Sequence, residues 1–177
     1  GLEGSTSLAN SAAILWHRNA LGDWVRPGIM LYGASPTGLH LDIEHANLKA
    51  AMQLHSEIID IQELQKGDRI GYGGRYEAPD SMRIGIVACG YADGYPRVLS
   101  NGVGRMWVKG NLVPVIGNVC MDMTMLDITG TSIREGDEVI VFGESLLVTD
   151  LAKSAQTIAY EILTGVSQRV KRVYFEE

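Results

Sequence analysis

The sequence predicts a mainly β protein: a compact antiparallel barrel of the Greek-key type with one helix, preceded by the last segments of a larger α/β domain. Glycine supplies 21 of the 177 residues, about 12% against a usual ~7%, which favours tight turns and short strands. From Met52 onward, short β-branched runs alternate with turn sequences such as Lys66-Gly67-Asp68. Regularly spaced short strands with few helices are typical of small antiparallel barrels. We therefore predict two parts, residues 1–45 and residues 46–177.

The first forty residues have the pattern of an α/β unit. Ser11–Trp16 predicts a short helix, and residues 25–33 predict a buried parallel strand that leads into a glycine turn. A buried parallel strand needs neighbours on both sides, so we interpret this stretch as the end of a larger α/β domain. Residues 39–51 are predicted to be a connection. The first five residues lack a basic stretch and an initiator methionine, which indicates a cloning scar or a cut inside a longer protein.

Seven short apolar runs in the second part predict strands, because each is rich in β-branched residues and ends at a turn sequence. They are residues 57–61, 70–72, 84–89, 106–108, 112–116, 119–128 and 139–142. Thr149 and Gly165 bound a stretch with apolar residues at helical spacing, which predicts one helix with Thr149 as its N-cap. The alternating residues 166–174 predict a final edge strand with a basic flank.

The composition excludes several classes of protein. A net charge of −6 gives no electrostatic footprint for nucleic acid or for an anionic membrane. The longest uncharged apolar stretch, residues 84–92, is far shorter than the ~18 residues of a membrane span. The two cysteines and four histidines do not have the spacing of metal ligands. They are Cys89, Cys120, His17, His40, His45 and His55. We therefore predict two free thiols, a reducing cytoplasmic setting and no metal site.

The segment around Tyr91 is the densest in chemically useful residues. It closes a predicted buried strand beside glycine turns, where rigid scaffolds present reactive side chains. A tyrosine there can exchange a proton only if its pKa of about 10 is lowered by positive charge or by hydrogen bonds to the phenolate. The alternative is an ordinary Tyr-Ala-Asp-Gly turn with aromatic packing.

Two further charged residues stand in apolar surroundings. A strand over residues 119–128 puts three methionines on one face, as core residues, and leaves Asp122 to be paired or at a surface. Arg26 lies in the predicted buried strand, so its guanidinium needs either a salt bridge or an anion or ring-nitrogen contact. The backbone of Gly28 and Ile29 with Ser11 could cradle a phosphate. Residues 71–76, rich in glycine, are better explained as a bulged hairpin than as a phosphate loop.

Five sequence blocks occur together in the order and spacing found in bacterial alanine racemases. They are Asn10-Ser11-Ala12-Ala13, residues 24–33, residues 71–76, Gly90-Tyr91-Ala92-Asp93-Gly94-Tyr95-Pro96-Arg97 and Cys120-Met121-Asp122-Met123. From about Ser7 to Tyr174 the chain resembles the C-terminal portion of that family. The resemblance implies a truncated TIM-type α/β barrel, which in the family holds pyridoxal phosphate, followed by the β domain.

The resemblance also implies a role for each matching residue. Tyr91 matches the acid/base that removes the α-proton of L-alanine, and the backbone N–H of Met121 matches a contact to the substrate carboxylate. Arg26 matches the donor to the pyridine nitrogen of the cofactor, while Ser11, Gly28 and Ile29 match its phosphate contacts. The family pattern implies a cytoplasmic homodimer with shared active sites that interconverts L- and D-alanine for peptidoglycan synthesis.

The chain departs from the family pattern at two places. None of its lysines (Lys49, Lys66, Lys109, Lys153 and Lys171) matches the family lysine that binds the cofactor covalently, so we expect this chain alone to be inactive. Some members carry a phosphate-contacting tyrosine where this chain has Gln168. The alternatives are a racemase with a broader amino-acid range and a non-catalytic β domain or dimerisation module.

Overall fold

The computed structural model describes residues 4–37 and 47–175. Ten strands lie in this part of the chain: β1 Ala9–Asn10, β2 Val25–Arg26, β3 Leu54–Leu64, β4 Arg69–Ile70, β5 Tyr76–Glu77, β6 Met82–Val87, β7 Arg105–Val108, β8 Asn111–Ile116, β9 Thr124–Asp127 and β10 Glu138–Phe142. The helices are α1 Ser11–Trp16, α2 Val148–Ser154 and α3 Ala159–Gly165. None of the helices in residues 4–37 and 47–175 is long and apolar enough to cross a membrane.

Six strands close into an antiparallel barrel in the order β10-β3-β6-β9-β8-β7. Because β6 pairs with β9 and not with β7, residues 88–104 must pass two strands before the chain re-enters the sheet. This crossover makes the topology a Greek key, and the predicted antiparallel barrel is confirmed. The predicted hairpin of residues 71–76 is also present, as β4 and β5 joined by a 3-10 turn at Tyr72–Gly74.

The barrel interior is filled by branched aliphatic side chains from alternate positions of the strands. Tyr95 and Phe142 are the largest fully buried side chains. Helices α2 and α3 pack on the same core through their apolar faces, with Leu151, Ala152 and Ile162 in the cluster that includes Ile58 and Leu126. The two helices therefore complete one hydrophobic core with the barrel.

The N-terminal part is a small parallel unit. Strands β1 and β2 pair in parallel, with Ala9 opposite Val25, and α1 begins directly after β1. The predicted helix and the parallel direction of the strand at Val25 are confirmed, but the predicted buried strand over residues 25–33 is wrong. Strand β2 ends at Arg26, because Pro27 has no N–H to continue the ladder. Both residues of β2 are exposed. Residues 39–46 of the predicted connection, residues 39–51, lie outside the described residues.

The predicted strand over residues 119–128 is also wrong in its first half. Strand β9 begins at Thr124, and the preceding residues form a turn closed by the Cys120 N–H, which donates to the Met123 carbonyl oxygen at 2.9 Å. Met121 and Met123 are therefore exposed and not part of a core row. The connection is needed because the chain reverses direction between β8 and β9.

The single helix predicted between Thr149 and Gly165 is in fact two helices. Helix α2 ends in a Schellman motif, in which the N–H groups of Gln156 and Thr157 donate to the carbonyls of Lys153 and Ala152. Gln156 takes the left-handed conformation that this motif requires, with φ of 55°. Leu147 is the N-cap, so Thr149 lies inside α2 and is buried.

The final edge strand predicted for residues 166–174 is absent from the structure. The chain turns at residues 167–169 and remains irregular through residue 175. Its first residues dock on the barrel instead, since the Ser167 N–H donates to the Asp93 carbonyl oxygen at 3.1 Å.

Truncation of a barrel residue tests the position of the core. Ile58 is fully buried, whereas its neighbour Ile59 is 39% exposed. We expect Ile58→Ala to lower the free energy of unfolding by about 2–5 kcal/mol, because it leaves a cavity in the barrel. Ile59→Ala is the matched control and is expected to lower it by about 1 kcal/mol or less. Urea unfolding of both variants measures the difference, and equal losses would contradict this placement of the core.

Candidate active site

Two connections of the barrel meet at one end of the strand pair β6 and β9. Val87, the last residue of β6, lies opposite Thr124, the first residue of β9. The connection after β6, residues 88–104, carries Tyr91, and the connection before β9, residues 117–123, carries Met121. Both connections therefore meet the sheet at the same end. The buried Thr124 hydroxyl links them by donating to the Cys89 carbonyl oxygen at 2.7 Å.

Backbone hydrogen bonds fix the position of Tyr91 against the Met121 connection. The Tyr91 N–H donates to the Cys120 carbonyl oxygen, and the Ala92 N–H donates to the Met121 carbonyl oxygen, both at 3.0 Å. A Cβ atom at Gly90 would lie 2.4 Å from these same two oxygens, so only glycine allows this approach. The side chains of Tyr91 and Met121 remain exposed on this backbone platform.

The structure confirms the turn that the sequence predicts for the Tyr91 segment. Residues 91–94 form a turn, with the Gly94 N–H donating to the Tyr91 carbonyl oxygen at 3.3 Å. Asp93 closes the turn from its side chain, since its Oδ2 accepts a hydrogen bond from the Gly90 N–H at 2.9 Å. The turn packs the aromatic ring of Tyr95 into the core and leaves the phenol of Tyr91 outside.

One guanidinium joins the two connections. Arg169 Nε donates to Asp93 Oδ1 and Arg169 Nη2 contacts Asp122 Oδ1, each at 2.7 Å. Asp122 is thus both paired and exposed, which agrees with the expectation from its apolar neighbours. The sequence places Arg169 only on the flank of the predicted edge strand. The one signal for such a partner is the Asp122 carboxylate, which its apolar neighbours require to be paired or at a surface.

The surroundings lower the pKa of one ionisable group in this region and raise the pKa values of two others. Burial raises the pKa of the Asp93 carboxyl, but the hydrogen bonds from Arg169 and Gly90 outweigh it and hold the pKa below its usual range. Burial, with Asp93 nearby, raises the pKa of the Cys89 thiol to about 12. Burial also raises the pKa of Tyr95, whose hydroxyl has no hydrogen-bond partner in the described part of the chain. Neither Cys89 nor Tyr95 is therefore suited to proton transfer near neutral pH.

The residues predicted to cradle a phosphate come together in the N-terminal unit. Ser11 is buried, and its Oγ accepts hydrogen bonds from the N–H groups of Gly28 at 2.9 Å and Met30 at 3.4 Å. Ile29 lies between these two donors at the start of a 3-10 turn. A hydroxyl has two acceptor positions and one proton, so the Ser11 proton is the capacity that remains for another acceptor.

Arg26 differs from its predicted environment. It is exposed, and its Nη1 donates to the carbonyl oxygen of Ser7 and, at 3.1 Å, to the Ser7 hydroxyl. The prediction of a buried guanidinium is therefore wrong for the described residues, where Ser7 supplies the acceptors of Arg26. The contacts to Ser7 use one end of the guanidinium, which carries five N–H donors in all.

The predicted site residues fall into two sets. Ser11, Arg26, Gly28 and Ile29 belong to the N-terminal unit, whereas Tyr91 and Met121 lie on the barrel connections. Within residues 4–37 and 47–175, no hydrogen bond or ion pair joins one set to the other.

Models of two racemase domains match consecutive parts of the chain. Residues 2–36 match "Alanine racemase, N-terminal domain" and residues 51–174 match "Alanine racemase, C-terminal domain". Both matched domains belong to one class of protein, the amino-acid racemases. The chain belongs to the alanine racemase family.

Individual relatives agree with this assignment. The chain is 48% identical over 171 residues to an alanine racemase of Burkholderia mallei, covering 96% of this chain and 48% of that protein. The biosynthetic alanine racemase of Pseudomonas aeruginosa superimposes with a TM-score of 0.88 at 42% identity, covering 96% of this chain and 47% of that one. That of Bartonella henselae, with covalently bound pyridoxal phosphate, has a TM-score of 0.89 at 31% identity and covers 98% and 48%. The chain thus spans about half the length of the curated relatives it matches.

The ion pair of Asp93 predicts a pH-dependent contribution to stability. We expect Asp93→Asn to lower the free energy of unfolding near pH 7 by about 1.5–3 kcal/mol, the range for a hydrogen bond to a charged group. Because folding lowers the pKa of Asp93, this contribution is present above the unfolded-state pKa of about 3.9 and is lost as the pH falls through the folded-state pKa.

The difference between the original chain and Asp93→Asn should therefore shrink below about pH 4. Urea unfolding near pH 7 and near pH 3 measures it. Asp80→Asn, on an exposed turn, removes one carboxylate without touching Arg169 and is the matched control. An Asp93→Asn effect of the same size at both pH values would contradict the assignment.

Proposed function

We propose that the protein that contains this chain interconverts L- and D-alanine with pyridoxal phosphate, and that Tyr91 is its proton-transfer group on one face. The observation that carries the proposal is the exposed phenol of Tyr91, held by backbone hydrogen bonds beside Met121. Membership of the alanine racemase family supports the choice of reaction and substrate.

Tyr91 can act as an acid/base because its backbone is fixed while its side chain is accessible. A positioned side chain that gives or takes a proton in the transition state accelerates a reaction by about 10²–10⁴-fold. In the proposed reaction the Tyr91 Oη holds or moves the proton at Cα of L-alanine. The Met121 carbonyl is occupied by Ala92, and we assign the Met121 N–H to the substrate carboxylate.

The N-terminal set fits the cofactor that the family uses. The buried Ser11 hydroxyl, which the Gly28 and Met30 N–H groups position, would hold the phosphate group through its remaining proton together with the Ile29 N–H. The cofactor, when bound, supplies the electron withdrawal that acidifies the α-hydrogen. Arg26, which Ser7 holds at one end, would donate to the ring nitrogen. Because the Arg26 guanidinium keeps its own proton, the ring nitrogen would stay unprotonated, and an unprotonated ring withdraws electrons less strongly.

A complete site requires both sets of residues. Because no hydrogen bond or ion pair joins them in the described residues, we propose that they meet across the interface of a homodimer. Tyr91 and Met121 of one subunit would then complete the site around Ser11 and Arg26 of the other. We further propose a cytoplasmic enzyme that supplies D-alanine for peptidoglycan, and that the 177-residue chain alone is inactive for lack of a cofactor-binding lysine.

Removal of one hydroxyl tests the role of Tyr91. In the full-length protein, Tyr91→Phe should slow solvent exchange of the α-hydrogen of L-alanine by about 10²–10⁴-fold, because a positioned base is lost. Exchange from D-alanine should fall far less. Exchange into D₂O, followed separately from each enantiomer, is the readout, because the equilibrium between the enantiomers is fixed and net racemisation must fall in both directions.

Tyr95→Phe is the matched control for this experiment. It removes a phenolic hydroxyl from the same turn, but the Tyr95 hydroxyl is buried and unpartnered, so both exchange rates should stay near those of the unaltered protein. The 177-residue chain alone is the negative control. Equal losses from both enantiomers in Tyr91→Phe would contradict the assignment to one face.

Complementation tests whether Tyr91 crosses a subunit interface. One full-length chain carries Tyr91→Phe, and a second has its cofactor-binding lysine replaced, so each homodimer is inactive. In a mixed dimer with a shared site, one site combines both defects and the other has neither. We expect up to half of the sites in each mixed dimer to regain activity, measured as alanine racemisation after subunit exchange. If the subunits exchange and no activity returns, Tyr91 serves its own chain.

A further inference from the structure

Arg169 lies at a point where three segments of the chain meet. Its Nε donates to Asp93 Oδ1 and its Nη2 contacts Asp122 Oδ1, each at 2.7 Å. Asp93 follows Tyr91 by two residues, and Asp122 directly follows Met121. One planar guanidinium therefore reaches the two connections that carry the proposed proton-transfer group and the proposed carboxylate contact.

The segment that carries Arg169 is itself fixed to the barrel. The Ser167 N–H donates to the Asp93 carbonyl oxygen at 3.1 Å. A Cβ atom at Gly94 would lie 2.7 Å from the Gly165 carbonyl oxygen, so the two backbones are in close contact. Within the segment, the Arg172 guanidinium donates to the Val166 carbonyl oxygen at 3.1 Å and holds the local turn together. The backbone of Arg169 is thus held in place, so its guanidinium can hold the groups that it contacts in place as well.

The geometry of Asp93 shows what Arg169 would control. One oxygen of Asp93 accepts from the Gly90 N–H at the start of the turn, and the other accepts from Arg169. Without the guanidinium, the Asp93 and Asp122 carboxylates would repel each other across the gap between the connections. Both Arg169 and Asp122 are about half exposed, so the ion pair between them contributes little to overall stability, and its larger effect is on local geometry.

We propose that Arg169 is a positioning residue that sets the separation between the Tyr91 phenol and the Met121 N–H. This inference rests on the proposed function and adds a residue to it. Each carboxylate fixes one connection: Asp93 fixes the turn at Tyr91, and Asp122 fixes the connection that contains Met121. Arg169 acts on both because its two nitrogens bind both carboxylates at once, which a lysine ammonium reproduces only in part.

The test uses the full-length protein and measures kcat and KM for α-hydrogen exchange from L-alanine. Displacement of a reacting group by about 1 Å can cost about 10²-fold in rate, so we expect Arg169→Gln to lower kcat by about 10–100-fold and to raise KM. Arg169→Lys should recover part of both losses. Asp93→Asn should act mainly on kcat, and Asp122→Asn mainly on KM.

Arg172→Gln is the matched control, because it removes a positive charge from the same segment while the Arg172 guanidinium contacts only backbone carbonyls in the described residues. It should leave kcat and KM near their original values, and the melting temperatures of both variants are measured in parallel. A purely structural role for Arg169 would instead give losses that follow the melting temperature in both variants, and that result would overturn the inference.

The remaining outcomes are also decisive. If Arg169→Gln does not fold, the split between Asp93→Asn and Asp122→Asn decides, and equal effects of the two on kcat and KM would overturn the inference. Tyr91→Phe is measured in the same assay. If Tyr91→Phe leaves exchange from L-alanine intact, the proposed function fails; if it acts as expected while Arg169→Gln changes neither kcat nor KM, only the role of Arg169 fails.

Discussion

The antiparallel pairing of β6 with β9 is the constraint on which the candidate site depends. Since Val87 lies opposite Thr124, the connection after β6 and the connection before β9 begin at the same end of the barrel. A shift of this register by one residue would turn the buried Thr124 hydroxyl outward and break its bond to Cys89. The turn at Tyr91 and the turn at Met121 would then no longer face each other through their backbones.

Smaller features refine what this pairing establishes. Gly90 lets the two backbones approach to direct hydrogen-bonding distance, and the Asp93 side chain closes the turn that follows. Arg169 then joins both connections from a segment outside the sheet. The strand register first brings the two connections to the same end of the barrel. The backbone hydrogen bonds and then the ion pairs of Arg169 further restrict how the two connections can move relative to each other.

The sequence predicted those features that depend on local chemistry. Helix α1, the parallel direction of β2 and most barrel strands follow from short-range patterns and turn residues. The predictions failed where tertiary structure overrides the local pattern: Gln156 takes a left-handed conformation that glycine usually supplies, and the methionine alternation around Met121 belongs to a turn. Arg169 could not be found from spacing, because 76 residues separate it from Asp93.

The Greek-key crossover has a consequence for the order in which the protein is built. The contacts that define the Tyr91 turn are non-local, and such contacts form late because loop closure must precede them. During synthesis, which runs from the N-terminus at about 5–20 residues per second, Tyr91 emerges long before Cys120, Met121 and Arg169. The nascent turn therefore lacks its native partners for several seconds. Its arrangement becomes final only when the chain beyond α3 has been released to dock on the finished barrel.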